Sequence, residues 1–65
     1  MYIAKKEKFA LINKTKIARE LGYTASWTIR LLNAKVTTNK ATAMLITKIV
    51  NPNGKLEDYF DKRED

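Results

Sequence analysis

Residues 14–35 read KTKIARELGYTASWTIRLLNAK, and this stretch decides the fold. Asn13, just before it, is a residue type that favours the N-cap of a helix. Gly22 is expected to end that helix, because glycine readily adopts the left-handed conformation found at many helix C-termini. Between them, three apolar residues have the spacing of one helical face: Ile17, Ala18 and Leu21.

A second helix is predicted to begin almost at once. Thr24 is also a favoured N-cap residue. Only Tyr23 lies between it and Gly22, so the turn is very short. In the helix that follows, Thr28, Leu31 and Leu32 share the inner face, with Trp27 at its margin, while four residues lie on the opposite side: Ala25, Ser26, Ile29 and Arg30. Two short helices joined by a tight glycine turn are typical of a helix-turn-helix unit, here about residues 13–35.

The flanking segments are less regular. Upstream, residues 2–11 fit a short first helix, or residues 1–4 are extended. Downstream, residues 40–50 fit a helix whose apolar face is Thr42, Leu45, Ile46 and Ile49. Its β-branched residues also suit a strand, with residues 51–54 as a hairpin loop, but apolar and polar residues do not alternate, which favours helix.

The sequence therefore predicts one all-α domain over residues 1–65, with four or five helices. The alternative is an α+β domain with a C-terminal hairpin. Residues 56–60 are expected to form a last helical turn with Leu56, Tyr59 and Phe60 on its inner face, and residues 61–65 a short acidic tail.

Charge is distributed unevenly along the chain. Residues 1–56 carry eleven Lys or Arg against two acids, a net charge of +9, whereas the last nine residues carry five acids against two bases, a net charge of −3. A basic body attracts a polyanion, and nucleic acid or an anionic membrane surface are the common candidates.

The residue types that are absent restrict the chemistry. The chain has no Cys and no His, which excludes a zinc finger, a thiol nucleophile and an imidazole base. A chain of 65 residues also has little room for a water-excluding pocket. We therefore expect no enzyme activity, no metal and no cofactor.

Apolar runs are short. The run Phe9–Ile12 is far below the ~18 residues expected of a membrane span. Lys5, Lys6 and Lys8 interrupt the region where a signal peptide would need its apolar stretch, so the cytoplasm is the expected compartment.

The segment 14–35 resembles the Cro and CI phage-repressor family, also called the Xre-like family. The matches are Ala18, four residues before the glycine, Leu21-Gly22 at the turn, Leu31 in the second helix, and Asn33 with Lys35 in the family's N-G-K position. With Leu56-Glu57-Asp58-Tyr59-Phe60, which is similar to the family's closing segment, the resemblance covers about residues 13–60.

The resemblance implies a repressor-like domain that places its second motif helix in the major groove of duplex DNA. The base-reading residues would be Thr24, Ala25, Ser26, Ile29 and Arg30, which we call the reading face. Phosphate contacts would come from a first phosphate segment, Asn13, Lys14 and Thr15, and from a second phosphate segment, Lys35, Thr37, Thr38, Asn39 and Lys40.

Two departures from the family pattern bear on this site. Ala34 stands where the family usually has glycine, so either Asn33 takes the left-handed conformation or Ala34 accepts it at a cost of roughly 1 kcal/mol. Thr28 stands where the family usually has a hydrophobic residue, Val or Ile. In this sequence the hydrophobic residue is the next one, Ile29. A slightly rotated helix would bury Ile29 and turn Trp27 outward.

The expected function is sequence-specific regulation of transcription, of phage or mobile-element genes. A homodimer is expected because one reading helix covers few base pairs, and its interface would use Val50, Leu56, Tyr59 and Phe60.

The alternative is a protein-binding module on the same fold, an antirepressor, antitoxin or inhibitor that contacts another regulatory protein through Ala25, Trp27 and Ile29. A binder of duplex DNA without sequence preference is a third option.

Overall fold

The computed structural model describes residues 1–63. In chain order its elements are β1 (Tyr2–Ala4), a 3₁₀ turn (Lys6–Lys8), α1 (Lys14–Leu21), α2 (Ala25–Leu32), α3 (Lys40–Val50), α4 (Leu56–Tyr59) and β2 (Phe60–Lys62). The described chain is thus mostly helical, with one antiparallel pair of short strands.

Each of the three longer helices begins at a side chain that satisfies a first-turn amide. Asn13 Oδ1 accepts from the Lys16 amide at 3.1 Å, Thr24 Oγ1 from the Trp27 amide at 3.3 Å, and Asn39 Oδ1 from the Thr42 amide at 2.8 Å. The two N-caps predicted for the helix-turn-helix pair, Asn13 and Thr24, are therefore confirmed.

Residues 40–50 form a helix, so the alternative with a strand here and a hairpin loop at 51–54 is wrong. The inner face predicted for α3 is wrong in its rotation about the helix axis, however: Leu45, which was assigned to that face, is 56% exposed. The side chains that α3 buries are Thr42, Ala43, Ile46 and Thr47. Thr47 tolerates burial because its hydroxyl donates to the Ala43 carbonyl at 2.9 Å, which leaves no unpaired polar atom.

The two ends of the described chain pair with each other. Strand β1 lies antiparallel to β2, with Ala4 opposite Phe60 and Tyr2 opposite Lys62. The all-α prediction therefore missed this sheet, and the hairpin alternative misplaced it, since the strands are far apart in sequence. The predicted tail begins inside β2, and its last residues, Glu64 and Asp65, lie outside the described residues.

Aromatic side chains close the core where the strands meet the helices. The Phe9 ring packs edge-on against Phe60 at a centroid distance of 5.7 Å and lies 5.8 Å from the Tyr59 ring. Phe60 is only 1% exposed, so its assignment to a dimer interface is wrong: the β1–β2 pairing holds it inside. Leu56, Tyr59 and Val50 are half-buried against the same core.

None of the helices within residues 1–63 is both long enough and apolar enough to cross a membrane.

Both helices of the pair end in the same hydrogen-bonded motif. After α1, the Tyr23 amide donates to the Ala18 carbonyl at 3.1 Å, and after α2 the Lys35 amide donates to the Arg30 carbonyl at 2.9 Å. Gly22 takes the left-handed position of the first motif with φ of 78°, and Ala34 that of the second with φ of 62°. Of the two alternatives for the second helix end, Ala34 rather than Asn33 is therefore correct.

This strain makes Ala34 a site for stabilisation. Ala34→Gly is expected to raise the free energy of unfolding by about 0.5–1 kcal/mol, because glycine removes the Cβ strain of the left-handed conformation and loses only part of that gain to chain entropy. Urea denaturation followed by circular dichroism measures the change. As a matched control, Ala41→Gly on the exposed side of α3 should instead destabilise by up to about 1 kcal/mol. Destabilisation by both substitutions would contradict the strain at Ala34.

Candidate nucleic-acid interface

The crossing of α1 and α2 depends on a small residue and a short turn. Ala18 is buried where the two helices pack, and its carbonyl accepts from both the Gly22 amide at 2.9 Å and the Tyr23 amide at 3.1 Å. Only three residues separate the helices. These backbone hydrogen bonds fix how the chain leaves α1, and the short turn then limits the directions in which α2 can start.

Thr28 sets the rotation of α2 about its own axis. It is fully buried, and its hydroxyl donates to the Thr24 carbonyl at 3.0 Å. Ile29 beside it remains 38% exposed. The alternative rotation, with Ile29 buried, is therefore wrong for this structure, and α2 presents the side opposite to Thr28 and Leu31.

The reading face is accordingly uncovered. Thr24, Ser26, Ile29 and Arg30 are exposed, and Ala25 is half-buried. The face combines a guanidinium, two hydroxyl groups and small or aliphatic side chains, and α2 carries no carboxylate. This is the chemistry that can hydrogen-bond base edges and pack on a thymine methyl group.

The first phosphate segment lies at the N-terminus of α1. Thr15 is exposed and Lys14 half-buried, while Asn13 uses its side-chain oxygen for the cap. Amides in the first turn of a helix lack intrahelical partners and carry partial positive charge. Acidic residues often occupy such positions, but the first turns of α1, α2 and α3 contain none. All three helix starts are therefore electrostatically suited to an anion.

The second phosphate segment is smaller than predicted. Lys35, Asn39 and Lys40 are exposed and Thr37 is half-buried. Thr38 is 6% exposed, and its amide and carbonyl both pair with the backbone of Tyr2, at 2.8 and 2.7 Å. The prediction for Thr38 is wrong, because this bridge to the start of β1 turns it into the core.

Acidic residues are absent from a long central part of the sequence. Five basic residues and no acidic residue lie between Glu20 and Glu57 in the sequence. At the sheet, Lys5 approaches Asp61 at 3.7 Å and donates to the Glu57 carbonyl at 2.8 Å, so the cation there is partly paired. The strongest unopposed positive charge thus belongs to the segment that contains α2 and α3.

Sequence reasoning missed one residue at this site. Tyr23 is 46% exposed in the turn, and its ring packs edge-on against Trp27 at a centroid distance of 4.9 Å. It carries a phenolic hydroxyl and directly precedes Thr24 of the reading face. The signal was its position between Gly22 and the Thr24 cap, where no core contact is available.

Within residues 1–63, no group of acidic side chains is arranged to hold a metal ion. The chain matches no protein-family model, and the curated proteins and solved structures compared with it gave no significant match.

Two threonines at the start of α2 have different roles: Thr24 caps the helix, and Thr28 packs in the core. Thr24→Val removes the cap and is expected to lower the free energy of unfolding by about 1 kcal/mol. Thr28→Val makes the same chemical change in the core, where the Thr24 carbonyl keeps its bond from the Thr28 amide at 3.1 Å. It should be neutral or slightly stabilising.

Thermal unfolding of both variants tests this difference. A loss at Thr28 as large as the loss at Thr24 would show that the buried hydroxyl, rather than the shape of its side chain, holds the helix in its rotation.

Proposed function

We propose that this protein is a sequence-specific duplex-DNA-binding regulator of transcription, of the small Cro-like kind found in phages and mobile elements, acting in the bacterial cytoplasm. The observation that carries the proposal is the reading face itself: an exposed, carboxylate-free side of α2, held in a fixed rotation by buried Thr28, on the second helix of a tightly turned pair. The resemblance of residues 14–35 to that family supports it.

In this proposal α2 enters the major groove. Arg30 donates two hydrogen bonds to a guanine, Ser26 bonds a base edge or a phosphate, and Ile29 packs on a thymine methyl group. The capped start of α1 and the second phosphate segment bind the backbone on either side. Backbone contacts set the register, and the reading face supplies the sequence preference.

Selection of bound fragments from random duplex DNA at two salt concentrations tests the proposal most broadly. Enrichment of one motif is expected, with weaker retention at the higher salt because counterions compete for the phosphates. No binding at low salt would contradict DNA binding. Binding with equal affinity for selected and random DNA would instead identify a DNA binder without sequence preference.

Two substitutions divide the site into its base-reading and phosphate-binding parts. Arg30→Ala should lose about 1–3 kcal/mol of discrimination at one base pair of the selected motif. Lys40→Ala should weaken binding to all sequences alike and lower the slope of log affinity against log salt by about 0.9.

The control variant is Lys62→Ala, which removes one exposed cation from β2, a strand that carries no reading-face or predicted phosphate-contacting residue. Its salt slope should stay at the wild-type value. A loss of slope at Lys62 equal to that at Lys40 would mean that net charge alone, and not a positioned interface, binds the DNA. Fluorescence anisotropy with labelled duplexes measures all three variants.

A specific observation keeps a protein-binding function as the second candidate. Tyr23 and Ile29 are exposed apolar side chains, and the half-buried Trp27 contacts the Tyr23 ring. If another regulatory protein is the target, Ile29→Ala should abolish its capture while Arg30→Ala leaves it intact. If DNA is the target, Arg30→Ala is the more damaging change.

A second copy of the chain is part of the proposal. One reading helix covers only a few base pairs, and two copies on half-sites about 34–36 Å apart would double the contact. No cofactor is needed for this function.

A further inference from the structure

A groove of about 440 Å³ lies between α3 and the segment that leads into α4. Its apolar part comes from Met44, which is 42% exposed, and from the half-buried side chains of Tyr2 and Leu56. The volume falls within the range of roughly 300–1,000 Å³ that ligand sites occupy. No residue of the reading face lines this groove, so the proposed base contacts leave it without a role.

Three lysines give the groove a positive charge. Lys40 and Lys48 are exposed on α3, and Lys55 is exposed just before α4. Among residues 1–63, one acid lines the groove, Glu57, and no salt bridge joins any of the three lysines to a carboxylate. Lys48 donates to the Pro52 carbonyl at 3.3 Å, a neutral acceptor that leaves its charge without a counterion. The groove therefore favours a ligand with more than one negative charge.

The spacing of side chains along α3 indicates a helical ligand. Lys40, Met44 and Lys48 follow one another at intervals of four residues, so they lie on one side of α3 in the order cation, thioether, cation. With a rise of about 1.5 Å per residue, the two lysines are roughly 12 Å apart along the helix axis. A second helix alongside α3 has the same rise. An acid, an aliphatic residue and a second acid at the same intervals would therefore meet all three side chains, in either direction of the partner helix.

We propose that this groove binds an acidic amphipathic helix of another protein. The two acids of that helix pair with Lys40 and Lys48, and the aliphatic side chain between them packs on Met44 and Leu56. Methionine suits such a contact because its flexible thioether side chain adapts to the shape of a partner. Lys55, on the other wall of the groove, is available to a further acid of the partner.

Duplex DNA is the other polyanion that a basic groove attracts, and two features of the groove disfavour it. The exposed Met44 and half-buried Leu56 offer apolar contacts, which phosphate groups do not use. The Glu57 carboxylate also repels phosphates. An amphipathic helix gains from the same apolar side chains because it removes them from water, and its own exposed polar groups can turn away from Glu57.

Lys40 links the groove to DNA binding. It belongs to the second phosphate segment and also lines the groove. An acidic helix that pairs with Lys40 takes this cation from the DNA and places negative charge beside the phosphates, so the two ligands compete. Binding of the helix does not depend on DNA, whereas the competition rests on the proposed function. A partner that binds here would release the regulator from its DNA site.

Titration of the ¹⁵N-labelled full chain with a synthetic helix, without DNA, tests the site. The probe is a stapled, alanine-based helix that carries glutamate, leucine and glutamate one turn apart, and the control is a stapled helix of the same composition in scrambled order. The probe helix should shift the amides of α3 and of residues 54–57. The scrambled helix should bind at least about fivefold more weakly, because its acids and leucine no longer share one face.

Two charge reversals at the groove and one elsewhere separate position from net charge. Lys48→Glu and Lys55→Glu should each weaken binding of the probe helix by about fivefold to tenfold, because repulsion replaces attraction at an exposed pair. Lys8→Glu makes the same change in net charge at an exposed lysine that does not line the groove, and its effect should stay below about twofold. Met44→Ser, which keeps the charge and removes the apolar contact, should also weaken binding. Thermal melts check that the variants are folded.

Fluorescence anisotropy with a labelled duplex measures the competition. The probe helix should release the duplex from the wild-type chain, and the same concentration should release much less from the Lys48→Glu variant. Without the helix, Lys48→Glu and Lys8→Glu should bind the duplex equally, since neither lysine belongs to a phosphate segment.

Four results would overturn the inference: no amide shifts at millimolar probe helix, equal binding of the scrambled helix, an equal loss at Lys8 and Lys48, or a loss of duplex affinity at Lys48 beyond that at Lys8. The last result would assign the groove to DNA. Binding of the helix without release of the duplex would refute the competition. A chain that binds the probe helix as described but selects no DNA motif would refute the proposed function alone, and the reverse outcome would refute this inference alone.

Discussion

The carbonyl of Ala18 is the point on which the rest of the structure depends. It accepts the Gly22 and Tyr23 amides at 2.9 and 3.1 Å, and this ties the end of α1 to the start of the turn. Because only three residues join the helices, that bond pair and the left-handed φ of 78° at Gly22 limit the directions in which α2 can start. A larger residue at position 18, which is buried, would push α2 outward and alter everything that α2 presents.

The position of α2 then determines the chemistry of the surface. Thr28, Leu31 and Leu32 fill the core, so the opposite side of the helix must face solvent. That side carries hydroxyls, an aliphatic group and a guanidinium, next to helix starts that lack acidic residues. Three of the five acids within residues 1–63 lie instead in α4 and β2, where Lys5 approaches Asp61. The exposed, carboxylate-free side of α2 and the acid-free helix starts both favour an anion, which is why we propose DNA binding as the function.

The helix-turn-helix pair could be predicted from the sequence because its determinants are local: N-caps at Asn13 and Thr24, a glycine at the turn, and apolar residues at helical spacing. The β1–β2 pairing could not, since it joins Ala4 to Phe60 and leaves no local pattern in segments of three residues. The prediction placed Leu45 on the inner face of α3, whereas the structure buries Thr47. A threonine can be buried there because its hydroxyl donates to the Ala43 carbonyl. The backbone bridge between Thr38 and Tyr2, which buries Thr38, could not be predicted either, because the two residues are far apart in the sequence.

The central claim is that α2 and the capped helix starts contact duplex DNA. The most direct measurement is a titration of the ¹⁵N-labelled protein with a short duplex, followed by amide chemical shifts at each residue. The account predicts the largest changes from Thr24 to Arg30 and in the first turns of α1 and α3, with little change in the β1–β2 sheet. Changes concentrated at the sheet and α4, with the α2 amides unmoved, would contradict it.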